Sequence, residues 1–242
     1  MKKVLIITGG SKGIGAGIVN AYLTDGFQIY SIARTFNKDV SVAIKQYTVD
    51  LTLTENIEKL FEDIFKEIDP KETGQITLIN NAGTLGEIAP LTRLKPLDIQ
   101  QTVALNLTSV LVSCAVFIKS CQSWACKKSI INISSGAAQK PYFGWSVYCA
   151  TKSAIDMLSK NIAIEQEEEK HPVRALSIAP GVVDTGMQAQ IRSSSKDNFK
   201  TIDRFIQLKE NNQLLEPSYV GHSILQMDKD DQLTSGSILR VQ

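Results

Sequence analysis

Lys3-Val4-Leu5-Ile6-Ile7-Thr8, running directly into Gly9-Gly10-Ser11-Lys12-Gly13-Ile14-Gly15, sets the fold expected of this chain. A short β-branched apolar run stopped by glycines reads as a buried strand, and a helical pattern takes over near residue 13. Gly9 permits the sharp turn, Gly13 lets backbone approach an anion, and Gly15 allows the helix to pack closely on the strand. The first N–H groups of that helix and its dipole favour a phosphate. The spacing is G-x-x-x-G-x-G, a variant of the better-known G-x-G-x-x-G. Three glycines alone are explained cheaply as a turn. Their position between a clear strand and a clear helix predicts a dinucleotide-binding turn made by Gly9, Ser11, Lys12, Gly13, Ile14 and Gly15.

Outward from this turn, short apolar runs alternate with longer amphipathic stretches. Strands are predicted at 3–8, 28–33, 46–50, 77–80, 129–134, 174–179 and 237–241. Helices are predicted at 13–25, 54–68, 97–121, 146–166 and 217–228, with Gly26 as a helix C-cap. This rhythm predicts an α/β protein with a Rossmann-type doubly wound parallel sheet of about seven strands, flanked by helices and forming a single domain over 1–242. Residues 34–45 leave room only for a stunted helix or a loop. Residues 185–203 are polar and lack a strong period, which suits either a substrate lid or a plain surface loop. The run 165–169 reads as the acidic, solvated end of a helix.

Composition narrows the function. With 26 Lys and Arg against 25 Asp and Glu, the net charge of +1 offers no general field for nucleic acid or an anionic membrane. No uninterrupted apolar run predicts a bilayer span, and the apolar stretch at 4–7 is too short for a signal peptide. Four cysteines without a CxxC pair, and two histidines, argue against a metal site. Reduced thiols and a cytoplasmic location are expected, with Cys149 a bystander rather than a reactive thiol.

At the end of the second strand, Ile32-Ala33-Arg34-Thr35 lacks the carboxylate that would hold a ribose 2′-hydroxyl. Arg34 and Lys12 instead offer positive charge to a 2′-phosphate, which favours NADP(H) over NAD(H). Two exposed basic side chains with no ligand are the plain alternative. Further along, Tyr148 and Lys152 stand at i and i+4 on one helix face. A phenol with a pKa of about 10 is a poor acid–base group at neutral pH, and a neighbouring ammonium is expected to lower that value. Ser135 closes the run Ile130-Ile131-Asn132-Ile133-Ser134, at the sheet edge where such folds bind ligands, and its hydroxyl can polarise a carbonyl. Tyr-x-x-x-Lys alone is usually a surface pair; the ordered set of turn, Ser, Tyr and Lys is far more specific. Trp145, Met187, Tyr142 and Phe143 are candidates for an apolar substrate wall, and each could equally be core.

These motifs resemble the short-chain dehydrogenase/reductase family, from the glycine turn through Pro180-Gly181. The resemblance implies a nucleotide-binding role for Asn80-Asn81-Ala82-Gly83 and an adenine-orienting acid in Asp50-Leu51. It makes Asn106 the helix asparagine of a catalytic tetrad with Ser135, Tyr148 and Lys152, holding a water that relays protons to the lysine. It gives nicotinamide contacts to Pro180, Gly181, Val183 (through backbone atoms) and Thr185. The strings Asn81–Gly86, Ala104–Ser109, Gly144–Ala150 and Asp184–Gln188 resemble the sepiapterin reductase and benzil reductase branch. Arg240 occupies the place where animal-type sepiapterin reductases carry a pterin-anchoring aspartate; a cation there does not suit a pterin, and a vicinal diketone or another activated carbonyl is at least as good a candidate substrate. The resemblance implies an NADPH-dependent carbonyl reductase with a small-molecule substrate, and a homodimer or tetramer formed through the helices 97–121 and 146–166. Competing readings are a non-catalytic NADP(H) sensor or scaffold on the same fold, and a reductase of steroids or acyl thioesters.

Overall fold

The computed structural model describes residues 1–35 and 43–242. Seven strands form one parallel sheet: β1 (Lys2–Thr8), β2 (Phe27–Ala33), β3 (Ile44–Thr48), β4 (Thr73–Asn80), β5 (Lys127–Ile133), β6 (Arg174–Ala179) and β7 (Ile238–Arg240). Their spatial order is β3-β2-β1-β4-β5-β6-β7. The chain therefore winds one way from β1 to β3 and the other way from β4 to β7. The crevice above β1 and β4 is the switch point where open α/β sheets take their ligands.

Alternation along each strand explains why both faces are apolar. Val4 and Ile6 pack on the face covered by α2 (Glu55–Lys66), α4 (Ser109–Cys121) and α5 (Ser146–Glu165). Leu5 and Ile7 face α1 (Gly13–Thr24) and α8 (Pro217–Lys229). Two-sided burial is why these strands read as continuous apolar runs. A third cluster contains Trp145, Tyr148, Phe199, Ile202 and Phe205 and includes no strand residue.

Several expectations need correction. Residues 97–121 are not one regular helix: α3 (Pro96–Val103) passes through a π-helical turn, Ala104–Thr108, before α4 begins. The apolar pattern runs across this turn, so periodicity could not show the extra residue per turn. The whole run from Pro96 to Cys121 is long and apolar enough by composition to cross a membrane, though polar residues such as Asp98 and Asn106 interrupt it. Here Val110, Cys114, Phe117 and Cys121 are buried in the core instead. The segment 185–203 holds the short helix α6 (Gly186–Arg192) and, after a stretch of turns, the start of α7 (Ile202–Glu210). Strand β3 starts two residues earlier than predicted, and β4 starts four earlier. Gly26 takes φ +82°, as its capping place requires. The stunted helix or loop expected at 34–45 falls largely on residues 36–42, outside the described residues.

Candidate active site

A cleft of about 1080 Å³ opens along the C-terminal ends of the strands. The glycine turn forms part of its floor. Gly9 sits at φ +71°, and a Cβ there would lie 2.9 Å from Ala82 Cα; one on Gly15 would lie 2.0 Å from Gly9 O. Only bare backbone fits, which leaves room for another group to approach. Asn81 fastens this turn to β4: its Nδ2 donates to Thr8 O at 3.1 Å and to Gly9 O at 2.9 Å. Helix α1 starts after Lys12 with no side chain capping its first N–H groups. Uncapped donors beside a glycine cradle suit a diphosphate. Ser11, Lys12, Gly13, Ile14 and Arg34 line the same cleft, and Ser11 Oγ lies 3.3 Å from Thr35 Oγ1. These residues fit a dinucleotide.

Of the pair Asp50-Leu51, only Leu51 reaches the cleft wall. The Asp50 carboxylate accepts from Thr52 N at 2.9 Å and from Thr52 Oγ1 at 2.8 Å, which closes a local turn. These bonds, with Arg34 adding a smaller effect, hold it below the usual carboxylate range.

On α5, Tyr148, Lys152 and Asp156 follow at intervals of four, so one helix face presents all three to the cleft. Ser135 stands just after β5 and caps a short 3₁₀ turn, Gly136–Ala138, its Oγ accepting from Ala137 N at 3.1 Å. Lys152 Nζ donates to Ile133 O at 2.6 Å and lies 5.9 Å from the centroid of the Tyr148 ring. Burial lowers the Lys152 pKa to about 8, opposed by the Asp156 carboxylate. Burial also raises the phenol of Tyr148, with the Ser135 hydroxyl pulling the other way. The expected acidification of Tyr148 by its lysine neighbour is not what this geometry gives: burial moves the phenol the other way.

Asn106 lies within the π turn and is buried behind the cleft wall. Its Oδ1 accepts from Thr84 N at 2.9 Å; its Nδ2 donates to Thr84 O at 2.7 Å and to Thr151 Oγ1 at 3.3 Å. Gly83 stands between Asn106 and Lys152: a Cβ on it would lie 3.4 Å from Asn106 Oδ1 and 3.7 Å from Lys152 Nζ. Ala82 and Gly83 themselves line the cleft. π turns recur at functional sites because they displace one residue from the regular helical ladder.

Pro180, Gly181, Val183 and Thr185 form the wall after β6. A bridge to Leu215 uses Val182 O and Asp184 N, both at 2.9 Å, so the N–H and C=O of Val183 point away from it. Thr185 approaches the glycine turn, its Cγ2 lying 3.2 Å from a Cβ placed on Gly13. Trp145, Met187 and Tyr142 line the cleft, whereas Phe143 does not; it is exposed, with Lys200 Nζ 5.5 Å from its ring centroid. Arg240 does line the cleft, as do Asp156, Gln188, Arg204 and Phe205, which sequence reasoning left unassigned. The i+4 step from Lys152 could have singled out Asp156. The others sit on α6 and α7, helices the sequence did not announce.

The chain is similar to known proteins over nearly its whole length. A family model described as short chain dehydrogenase matches residues 3–196. The benzil reductase ((S)-benzoin forming) of Bacillus cereus is 37% identical over 246 residues, covering 99% of each chain. That of Bacillus subtilis (strain 168) is 39% identical over 225 residues, covering 93% of each. The sepiapterin reductase of Meriones unguiculatus is 29% identical over 251 residues, covering 97% of this chain and 94% of that protein. Among solved structures, the KRED1-Pglu enzyme aligns with a TM-score of 0.85 at 29% identity, covering 98% of this chain and 100% of that one.

Proposed function

Because the chain belongs to the short-chain dehydrogenase family and is an oxidoreductase, we propose that it is an NADPH-dependent carbonyl reductase acting on a ketone or vicinal diketone, with Tyr148 as proton donor. The observation that carries this reading is one cleft lined both by Ser135, Tyr148 and Lys152 and by a glycine turn flanked by Lys12 and Arg34. The second strand supplies no acid at its end, and Arg34 stands where a 2′-phosphate would need a cation.

In this reading Gly9, Ser11, Gly13, Ile14 and Gly15 hold the diphosphate, and Leu51, Asn81, Ala82 and Gly83 flank the adenosine half. Pro180, Gly181, Val183 and Thr185 seat the nicotinamide, which supplies the hydride when bound in its reduced form. Ser135 donates to the substrate carbonyl and to the negative charge that develops on its oxygen. Tyr148 passes its phenolic proton to that oxygen; the raised pKa keeps this proton in place at neutral pH. Lys152, anchored on Ile133 O, puts a positive charge beside the phenol and holds ribose hydroxyls. A water near Asn106 returns the proton through Lys152. Trp145 and Met187 provide the apolar wall.

Arg240 on the cleft wall and the 37–39% identity to two benzil reductases favour a diketone over a pterin. All four cysteines are free thiols, which suits a cytoplasmic enzyme. A homodimer formed through α4 and α5 completes the reading. Initial rates with benzil under NADPH and under NADH test it. Turnover with at least about a tenfold preference for NADPH is expected; no turnover of benzil or any other ketone would contradict it.

A further inference from the structure

The cleft is cationic although the chain as a whole is nearly neutral, with a net charge of +1. Among the described residues that line it, Lys12, Arg34, Lys140, Lys152, Arg204 and Arg240 stand against a single acid, Asp156. That carboxylate is engaged by Ser177 Oγ at 2.6 Å. Lys12 and Arg34 have a 2′-phosphate to meet, and Lys152 serves the phenol and the ribose. Lys140 and Arg204 stand elsewhere, on Tyr142, and the coenzyme does not account for them.

Tyr142 is the common point of the two cations. Arg204 Nη1 donates to Tyr142 Oη at 3.2 Å, and Lys140 Nζ lies 6.0 Å from the centroid of the same ring. A guanidinium has five N–H donors, and a phenol oxygen that accepts still has its own proton to give. Arg204 and the Tyr142 hydroxyl therefore present neighbouring donors. Among the described residues neither Lys140 nor Arg204 forms an ion pair with a carboxylate. Asp203, beside Arg204 in sequence, is paired with Lys196 instead. Both Lys140 and Arg204 are exposed, so a ligand entering the cleft can reach them.

Aromatic contacts fix how far this spot lies from the proton donor. The Tyr142 ring is 4.9 Å from that of Trp145, which is 5.6 Å from that of Tyr148. The two steps put the phenol rings at most 10.5 Å apart, close enough for one small molecule to meet both.

We infer that Arg204 and the Tyr142 hydroxyl, with Lys140 adding positive charge, form an anion subsite at the substrate end of the cleft, and that the ketone reduced here carries a carboxylate about one aromatic ring away from the reacting carbonyl. The planar guanidinium fork matches a carboxylate better than a point charge does. This rests on the reductase reading above and adds a second group by which the substrate is recognised.

The test compares 4-carboxybenzil with its methyl ester, which has the same reacting carbonyls and no charge, using NADPH and the full chain. The wild type is expected to show kcat/KM at least about tenfold higher for the acid. Arg204→Gln should lower the acid-to-ester ratio about tenfold, Tyr142→Phe should lower it in the same direction, and Arg204→Lys should keep part of it. Raising the ionic strength should shrink the wild-type ratio, which a purely structural role of Arg204 would not do. A wild type that turns over both compounds equally, or a ratio unmoved by Arg204→Gln, would overturn the inference while leaving the reductase intact. Turnover of none of these ketones, benzil included, would overturn the reductase reading, and the inference with it.

Discussion

Lys152 lies in conflicting surroundings: burial favours its neutral form, while Asp156, one helical turn on, favours the ammonium. Its pKa of about 8 means that the charge is present below that pH and lost as pH rises through it. The Tyr148 phenol, raised by burial, keeps its proton over the same range. Ketone reduction is therefore expected to hold steady at neutral pH and to decline as pH passes about 8, which a pH profile of kcat/KM would show. Asp156 accepts from Ser177 Oγ at 2.6 Å and so is held in place from β6. Asp156→Asn should move the alkaline decline to lower pH by removing the carboxylate that supports the ammonium; an unmoved profile would exclude this role. At the far pole of coenzyme recognition, Arg34→Ala should raise KM for NADPH about tenfold or more with little change for NADH. Equal changes for both coenzymes would mean that Arg34 does not read the 2′-phosphate.

Helix α1 owes its position to α8 as much as to the sheet. A Cβ on Gly221 would lie 2.2 Å from the carbonyl carbon and oxygen of Gly17, so the two helices meet backbone to backbone. No side-chain adjustment relieves such a clash. Gly221→Val is expected to cost roughly 1–3 kcal/mol or more, measured by urea unfolding, and to weaken NADPH binding because α1 carries the glycine turn at its N-terminus. Unaltered stability would show that the helices can separate freely. Both glycines lie inside long helical patterns, where sequence alone marks them only as weak helix formers. The π turn was equally hidden, since hydroxyls and apolar residues continue through it. Helices α6 and α7 escaped notice because α6 is short and their apolar residues pack on one another and on Trp145 rather than on the sheet. By contrast, α2 was legible: Ile57, Leu60, Phe61 and Ile64 repeat at helical spacing and are all buried.

For the whole molecule, the parallel sheet and the family followed from a few local signals, because parallel strands buried on both faces leave unmistakable apolar runs. Ser135, Tyr148 and Lys152 were readable as a set, and the structure brings them to one cleft. Pairing across space was not readable. The turn that engages Asp50 and the bonds that occupy Asn106 depend on neighbours distant in sequence or on exact side-chain geometry. The exposed Leu111 on α4, and Met157 and Ile164 on α5, leave apolar surface that a second copy would cover. Light scattering should give twice 26.6 kDa, and Met157→Glu with Ile164→Glu should return the monomer; a wild-type monomer would exclude the dimer. The assignment of the proton donor is tested most directly by Tyr148→Phe, assayed for benzil turnover and, by fluorescence titration, for NADPH binding. Loss of about a thousandfold in kcat with near-normal NADPH affinity is expected for a general acid of this kind. Turnover at the wild-type rate would contradict the mechanism.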